Sequence, residues 1–140
     1  MNSHALRQLA ETNSIIEELM KTESSDVLMI DYLSVVATRE EASFLWRQVL
    51  QSRRSHYDWL RGLFYQMNGR WPEVDQEIFR PPSTYEEGLY IQIRRLEYRK
   101  VQMMKLMNQT ITLYVHQSLQ IIYNQMQYEE LLLRQLQRFE

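Results

Sequence analysis

This chain predicts an all-α four-helix bundle, and three observations carry the prediction. Its helix breakers are few and confined: the three glycines and three prolines all fall between Gly62 and Gly88. Outside that window the sequence is rich in Leu, Met, Gln, Glu and Arg, all good helix formers. Apolar residues there recur at alternating spacings of three and four, which marks helix faces turned toward a shared core. With 140 residues, 44% hydrophobic and 24% charged, the chain has the size and balance of one globular domain spanning residues 1–140.

The first helical segment runs from about Ser3 to Ala37, with inward positions at Leu9, Ile16, Met20, Val27, Ile30 and Ser34/Ala37. Thr12-Asn13-Ser14 is polar enough to bend or fray it, so residues 1–13 read as an extension and the strong helix as starting near Ser14. The second segment opens at Thr38, where Glu41 three residues later completes a capping-box pattern. Its stripe is Ala42, Trp46, Val49, Arg53, His56, Leu60, Leu63 and Met67, and Gly69 supplies a left-handed stop. The third opens after Pro81-Pro82 with a second capping box, Ser83-Thr84-Tyr85-Glu86, and carries Leu89, Ile93, Leu96, Lys100, Met103 and Met107. Asn108-Gln109-Thr110 reads as a short turn. The last segment shows Val115, Leu119, Ile122, Met126, Glu129, Leu133 and Leu136.

Loop lengths set the topology. Short connections after the first and third segments make each pair an antiparallel hairpin. The connection over residues 69–83 is much longer and, fully extended, reaches about 45 Å at roughly 3.3 Å per residue. That is enough to return along a helix of about 30 residues at 1.5 Å rise. Two hairpins joined by one long crossover is the ferritin-like arrangement.

The same segments carry a more specific likeness. His56-Tyr57 followed by Leu60, Leu63-Phe64 and Gly69-Arg70-Trp71-Pro72, then Thr84-Tyr85-Glu86-Glu87-Gly88-Leu89 and the helix with Tyr114, are its matching stretches. On these the chain, from about Ile16 to the C-terminus, resembles the small ferritin-like, rubrerythrin-related proteins common in Gram-positive, spore-forming bacteria. That family's pattern is Glu on the first helix, Glu-x-x-His on the second, Glu on the third and Glu-x-x-His on the fourth. Members holding all six ligands bind two iron or manganese ions and handle peroxide or oxygen.

Carried onto this sequence, the resemblance implies a degenerate site. The first glutamate falls on Glu23 and the second-helix pair on Arg53 and His56. The third-helix glutamate falls on Leu96, beside Glu97. The fourth-helix pair falls on Met126 and Glu129, or on Gln125 and Tyr128 with a slip of one residue. The tyrosine seven residues beyond the first glutamate is replaced by Ile30. An arginine cannot ligate a metal and stays protonated, so Arg53 at the centre would repel an incoming cation. Its five-donor fork can instead bridge two facing carboxylates, and Glu23 and Glu129 are the candidates, with His56 completing the hydrogen bonds. Lys100 could join this cluster or snorkel to the bundle's edge.

Plainer readings stand beside these. His56 could be a core histidine bonded to a neighbour, and Arg53 could rotate to the rim. Glu23 sits among Ser24-Ser25-Asp26, a turn polar all round, and could be solvated. Glu129-Glu130 could be a surface pair. Met103, Met104, Met107 and Met126 read as core packing, with no methionine singled out as a haem ligand. Trp59, Phe64, Tyr65, Trp71 and Phe79 read as the crossover packing on the bundle.

Other functions find no support. There is no cysteine for thiol chemistry or disulfides, no glycine-rich phosphate loop, and His4, His56 and His116 are too scattered for a helical zinc motif. A net charge of −2 and the short runs Arg53-Arg54 and Arg94-Arg95 argue against nucleic acid, and no apolar run suits a membrane span. A cytoplasmic location is the default expectation. The expected function is a non-catalytic structural or interaction module, with no catalytic residues, metal or other cofactor. Its expected partner is a second copy or a related ferritin-like chain, met through Tyr90, Tyr98, Tyr114, Gln117 and Tyr123. The resemblance also suggests a sporulation or coat-associated role, through the family's distribution. The alternative is an iron- or manganese-dependent oxidoreductase using a reduced ligand set of Glu23, His56 and Glu129.

Overall fold

The computed structural model describes residues 3–109 and 112–139. Among them five helices form, α1 (Ser3–Met20), α2 (Glu23–Val36), α3 (Glu40–Asn68), α4 (Tyr85–Gln109) and α5 (Leu113–Arg138), and no strand. α1 and α2 follow one another along one position of the bundle, so four helical columns surround the core. No helix among the described residues is long and apolar enough to cross a membrane.

Side-chain pairs fix the directions. Ser43 Oγ donates to the Ser34 carbonyl at one end of α2–α3, and Arg61 binds Glu23 at the other, so the two are antiparallel. Trp46 Nε1 donates to the Tyr85 hydroxyl and Arg99 Nη1 to the Tyr57 hydroxyl, so α3 and α4 run parallel. Tyr114 donates to Gln66 while Arg53 binds Glu129, which makes α5 antiparallel to α3. The long connection from Gly69 therefore carries the chain back along the bundle.

The first helical segment is not continuous, and its break is not where the polar stretch suggested. α1 runs unbroken through Thr12-Asn13-Ser14, because Thr12 is buried and the Asn13 and Asn68 amides pair reciprocally at 2.8 Å. The helix breaks at Lys21-Thr22 instead. There the crossover supplies the partners that a helix end lacks. Gln76 Nε2 donates to the Met20 carbonyl, the Glu77 amide donates to the Lys21 carbonyl, and Gln76 Oε1 accepts from the Ser24 amide. Past the break the expected Ile30 and Ser34 still face inward. α2 buries Ser25, Asp26, Met29, Ile30, Leu33 and Ser34, whereas Val27 is only half-buried.

Helix ends follow local chemistry, with two corrections. Gly69 ends α3 at φ 69°, and its amide donates to the Tyr65 carbonyl at 2.7 Å. The capping box at Thr38 does not form. Arg39 takes the N-cap position without a side-chain cap and pairs with Glu41 instead. The box before α4 sits one residue later than read: Thr84 Oγ1 accepts the Glu87 amide, and the Glu87 carboxylate accepts from Ser83. α4 continues through Gln109, past Asn108, and Thr110 lies outside the described residues.

In α4 the buried face comprises Gly88, Leu89, Gln92, Leu96, Arg99, Met103, Leu106 and Met107, the last as expected. Ile93 and Lys100, expected inward, lie at its edges, one residue from the true seam. α3 and α5 bury the faces their spacing predicts, including Arg53, His56 and Glu129, except that Met67 and Val115 are only half-buried. Of the methionines, Met103, Met107 and Met126 are core, whereas Met104 is exposed. Of the aromatic group, Phe64 is buried, Trp71 stacks on Tyr65 and Phe79 approaches Tyr32. Trp59 faces solvent between α3 and α5.

Candidate functional site: a buried ion-pair network

Arg53 reaches the bundle's interior from the middle of α3 and is fully buried. A guanidinium there is tolerable only with its donors matched and its charge offset. Three helices supply the partners. From α5, Glu129 accepts from Nε at 3.2 Å and from Nη2 at 3.0 Å in a forked contact. From α2, Asp26 lies 3.0 Å from Nη1, and from α4 Gln92 Oε1 accepts from the same nitrogen at 3.3 Å. Each partner sits at an inward position of its own helix, so the bundle's register brings the four together.

Asp26 is the network's second hub. Its Oδ2 accepts from the Thr22 and Tyr57 hydroxyls, each at 2.7 Å, and its Oδ1 lies 2.9 Å from Arg95 Nη1. Arg95 is held in turn by a forked pair with Glu77 of the crossover, whose carboxylate also accepts from Ser25. The crossover thus closes the helix break and anchors the outer edge of the interior charges. Burial pushes the Asp26 carboxyl up, but the charges of Arg53, Arg95 and Arg99 and the Tyr57 hydrogen bond outweigh it and hold it below the usual value. For Arg53, burial opposes the charged form, and the Glu129 and Asp26 carboxylates more than reverse that.

A second layer lies beside the first. His56 is buried, with Nε2 3.4 Å from Ser52 Oγ and Nδ1 4.0 Å from Glu129 Oε1, too long for a hydrogen bond. Burial pushes its pKa down to about 2, and the charges of Arg99 and Arg53 act the same way, so the imidazole is neutral. Arg99 is 2% exposed and lays its guanidinium over the Tyr57 ring at 4.7 Å. Burial raises the Tyr57 hydroxyl to about 12 despite the arginine charges near it.

The residues expected at the site therefore divide. Arg53 and Glu129 pair in the core. His56 is buried beside them but, with Nδ1 4.0 Å from Glu129, does not complete their hydrogen bonds as expected. Leu96 and Met126 are buried apolar neighbours in the same bundle interior. Glu23 does not join them. It sits at the first residue of α2, near the rim, gripped by Arg61 Nη2 at 2.6 and 2.7 Å. Asp26, three residues on, takes the place foreseen for Glu23. Lys100 also stays at the rim, paired with Glu130 and over the Tyr123 ring. Asp26, Gln92 and Arg99 are the residues that an apolar-stripe reading passes over.

This arrangement can hold charge, but it is poorly suited to move protons. The titrations shifted within it lie far from neutrality, with Asp26 low, His56 at about 2 and Tyr57 at about 12. A general acid or base works best with a pKa near the working pH. As donors for a metal the residues do not fit, since Asp26 and Glu129 are spanned by the Arg53 cation. Among the described residues no group of three or more His, Asp or Glu side chains is placed to hold a metal ion. Comparison of the chain with family models, curated proteins and solved structures finds no match.

Proposed function

We propose that this chain is a ferritin-like bundle in which an arginine takes the position that metal ions hold in the resembled family. It serves as a structural or protein-interaction module rather than as a catalyst. The observation that carries this reading is Arg53, fully buried and bridging Asp26 on α2 to Glu129 on α5. Arg53 stands where the resembled pattern has a bridging glutamate, and Glu129 stands where it has a histidine. The crossover between two hairpins has the connectivity that the ferritin-like arrangement requires. An oxidoreductase built on Glu23, His56 and Glu129 would need those three in one coordination shell, and Glu23 is committed to Arg61 outside it.

The test is elemental analysis of protein purified without chelator and then incubated with iron and manganese, together with peroxide turnover. The reading predicts trace metal and no turnover. One or two tightly held ions per chain, or turnover that follows metal content, would retire it. Arg53→Glu is expected to raise affinity for ferrous or manganous ion, because it replaces a cation between two carboxylates with a third ligand.

A further inference from the structure

We infer that the face formed by α3 and α5 is an isologous docking surface for a second copy of this chain. This rests on the reading above of the chain as an interaction module, and it names the partner and the surface. Along that side three depressions follow one another from end to end of the bundle. One holds Phe44 and Phe139, the middle one holds Gln51, Gln125 and Tyr128, and the last holds Trp59 and Tyr114. Ile121, 52% exposed, lines both the middle and the last.

The middle of this face is set apart by its lack of charge, whereas Glu40, Glu41 and Arg138 line the depression at one end. Between Lys105 and Glu129 the sequence has no Lys, Arg, Asp or Glu, so apart from His116 most of α5 presents amides, hydroxyls, aromatics and aliphatics. The middle depression is lined by no charged residue. In the last one, Asp58 is already paired with Arg61 at 2.9 Å. The neighbouring grooves differ, with Glu97, Lys100, Glu130 and Arg134 on the α4/α5 side and Glu23, Arg54 and Asp58 on the α2/α3 side. Depletion of charge with exposed Trp and Tyr is the compositional mark of interface centres.

Three arguments select a second copy as occupant. In a two-fold pair, residues near the axis meet their own copies, and a face whose middle carries no charge can do so there without like-charge repulsion. Glutamine and asparagine amides, each both donor and acceptor, are self-complementary there. Gln125 Oε1, buried without a hydrogen-bond partner at this face, is an acceptor such an amide would satisfy. An antiparallel pairing would also lay the Glu40–Glu41 end over the partner's Trp59–Tyr114 end rather than over its own acids.

The area also suffices. A 26-residue helix is about 39 Å long at 1.5 Å per residue, and two helices side by side are about 20 Å across. That gives roughly 800 Å² per partner, the usual extent of a stable interface. The tyrosines expected at a dimer face divide accordingly. Tyr114 lies in this groove, while Tyr123 lines the α4/α5 depression and Tyr90 stands exposed on α4.

Sedimentation equilibrium of the full chain across a concentration series tests the inference. The expected result is a species of twice the chain mass at micromolar concentration. Ile121→Arg should weaken it roughly thirtyfold or more, the scale of losing a central contact. Val101→Arg, on the exposed face of α4, should leave it unchanged, and helical circular dichroism should be the same in both variants. Tyr128→Arg provides a second disruption should Ile121→Arg fail to fold. A monomer at high concentration, a dimer indifferent to Ile121→Arg and Tyr128→Arg, or one broken by Val101→Arg would overturn the inference. A metal-bearing dimer sensitive to Ile121→Arg would sink the reading of the core yet leave this surface standing, and a metal-free monomer would do the reverse.

Discussion

Two arginine–carboxylate clusters on α3 differ in almost everything but their chemistry. Arg53 spans Asp26 and Glu129 with all three side chains removed from solvent. Arg61, two turns further along, spans Glu23 and Asp58 at the rim, where all three remain partly or largely exposed. The rim contacts are the shorter, at 2.6 Å against 3.0 Å. Distance is nevertheless a poor guide to which cluster matters. Water screens the rim pair and would hydrate each partner if the other were lost, so such pairs are worth at most about 1 kcal/mol. Removing one member of the interior cluster leaves an uncompensated charge where water does not reach. The energetic weight of the interior cluster lies in the consequence of breaking it.

That contrast gives a graded set of expectations, all read from urea unfolding at fixed protein concentration. Arg53→Ala should lose about 3–5 kcal/mol, the usual result of stranding buried charges, and an unchanged midpoint would mean that Arg53 is not the hub of the core. The next effect is one of pH. His56 has a folded pKa of about 2, below its ordinary 6.5, so its contribution is complete above about pH 6.5 and declines as pH falls toward 2. Between pH 7 and pH 5 this alone should remove about 2 kcal/mol, since the unfolded chain gains a proton that the folded one refuses. His56→Gln should flatten that slope, and an unaltered slope would show that another group sets it. Asp26 adds to the same side, because its lowered pKa makes stability that is present above the ordinary carboxylate range fall away in stronger acid.

Smaller effects sharpen the contrast elsewhere. A methyl group on Gly88 would come within 2.6 Å of a Leu33 side-chain carbon and 3.0 Å of Pro82, where α2 and the crossover approach α4. Gly88→Ala should therefore cost about 1 kcal/mol net, as overpacking of roughly 1–3 kcal/mol outweighs a gain of about 1 kcal/mol in helix propensity. Gly62 has open space around it, and Gly62→Ala should stabilise by up to about 1 kcal/mol. At the bottom of the scale, Glu23→Gln should change stability by less than about 1 kcal/mol. A loss as large as that of Arg53→Ala would erase the distinction between rim and core.

Much of this was legible before the structure, and the failures share a cause. α3 and α5 keep an alternating three–four spacing throughout, so their charged members, Arg53, His56 and Glu129, fell on the seam along with their apolar neighbours. In α4 the same spacing runs through Leu89, Gln92, Leu96, Arg99, Met103 and Leu106. Choosing the apolar Ile93 over Gln92 moved the seam off its true line. In α2 the apolar Val27 reads as inward in the same way, and the segment reads as continuous across a break whose partners, Gln76 and Glu77, lie more than fifty residues away in sequence. No local signal marks Lys21-Thr22 as that break. Asp26 is hidden as Gln92 is: it lies on the buried line seven residues from Leu19 and from Leu33, but the apolar Val27 beside it takes the inward reading.

The central claim, that Asp26 and Arg53 are one buried unit rather than two separate polar residues, is tested most directly by a double-mutant cycle. Unfolding free energies would be measured for the wild type, Asp26→Asn, Arg53→Ala and the double variant. The account predicts that each single change is severe and that the double loses far less than their sum, because removing the second charge relieves the desolvation left by removing the first. Losses that add to within about 0.5 kcal/mol would show the two residues to be energetically independent, and the interior network would not be what holds this bundle's centre.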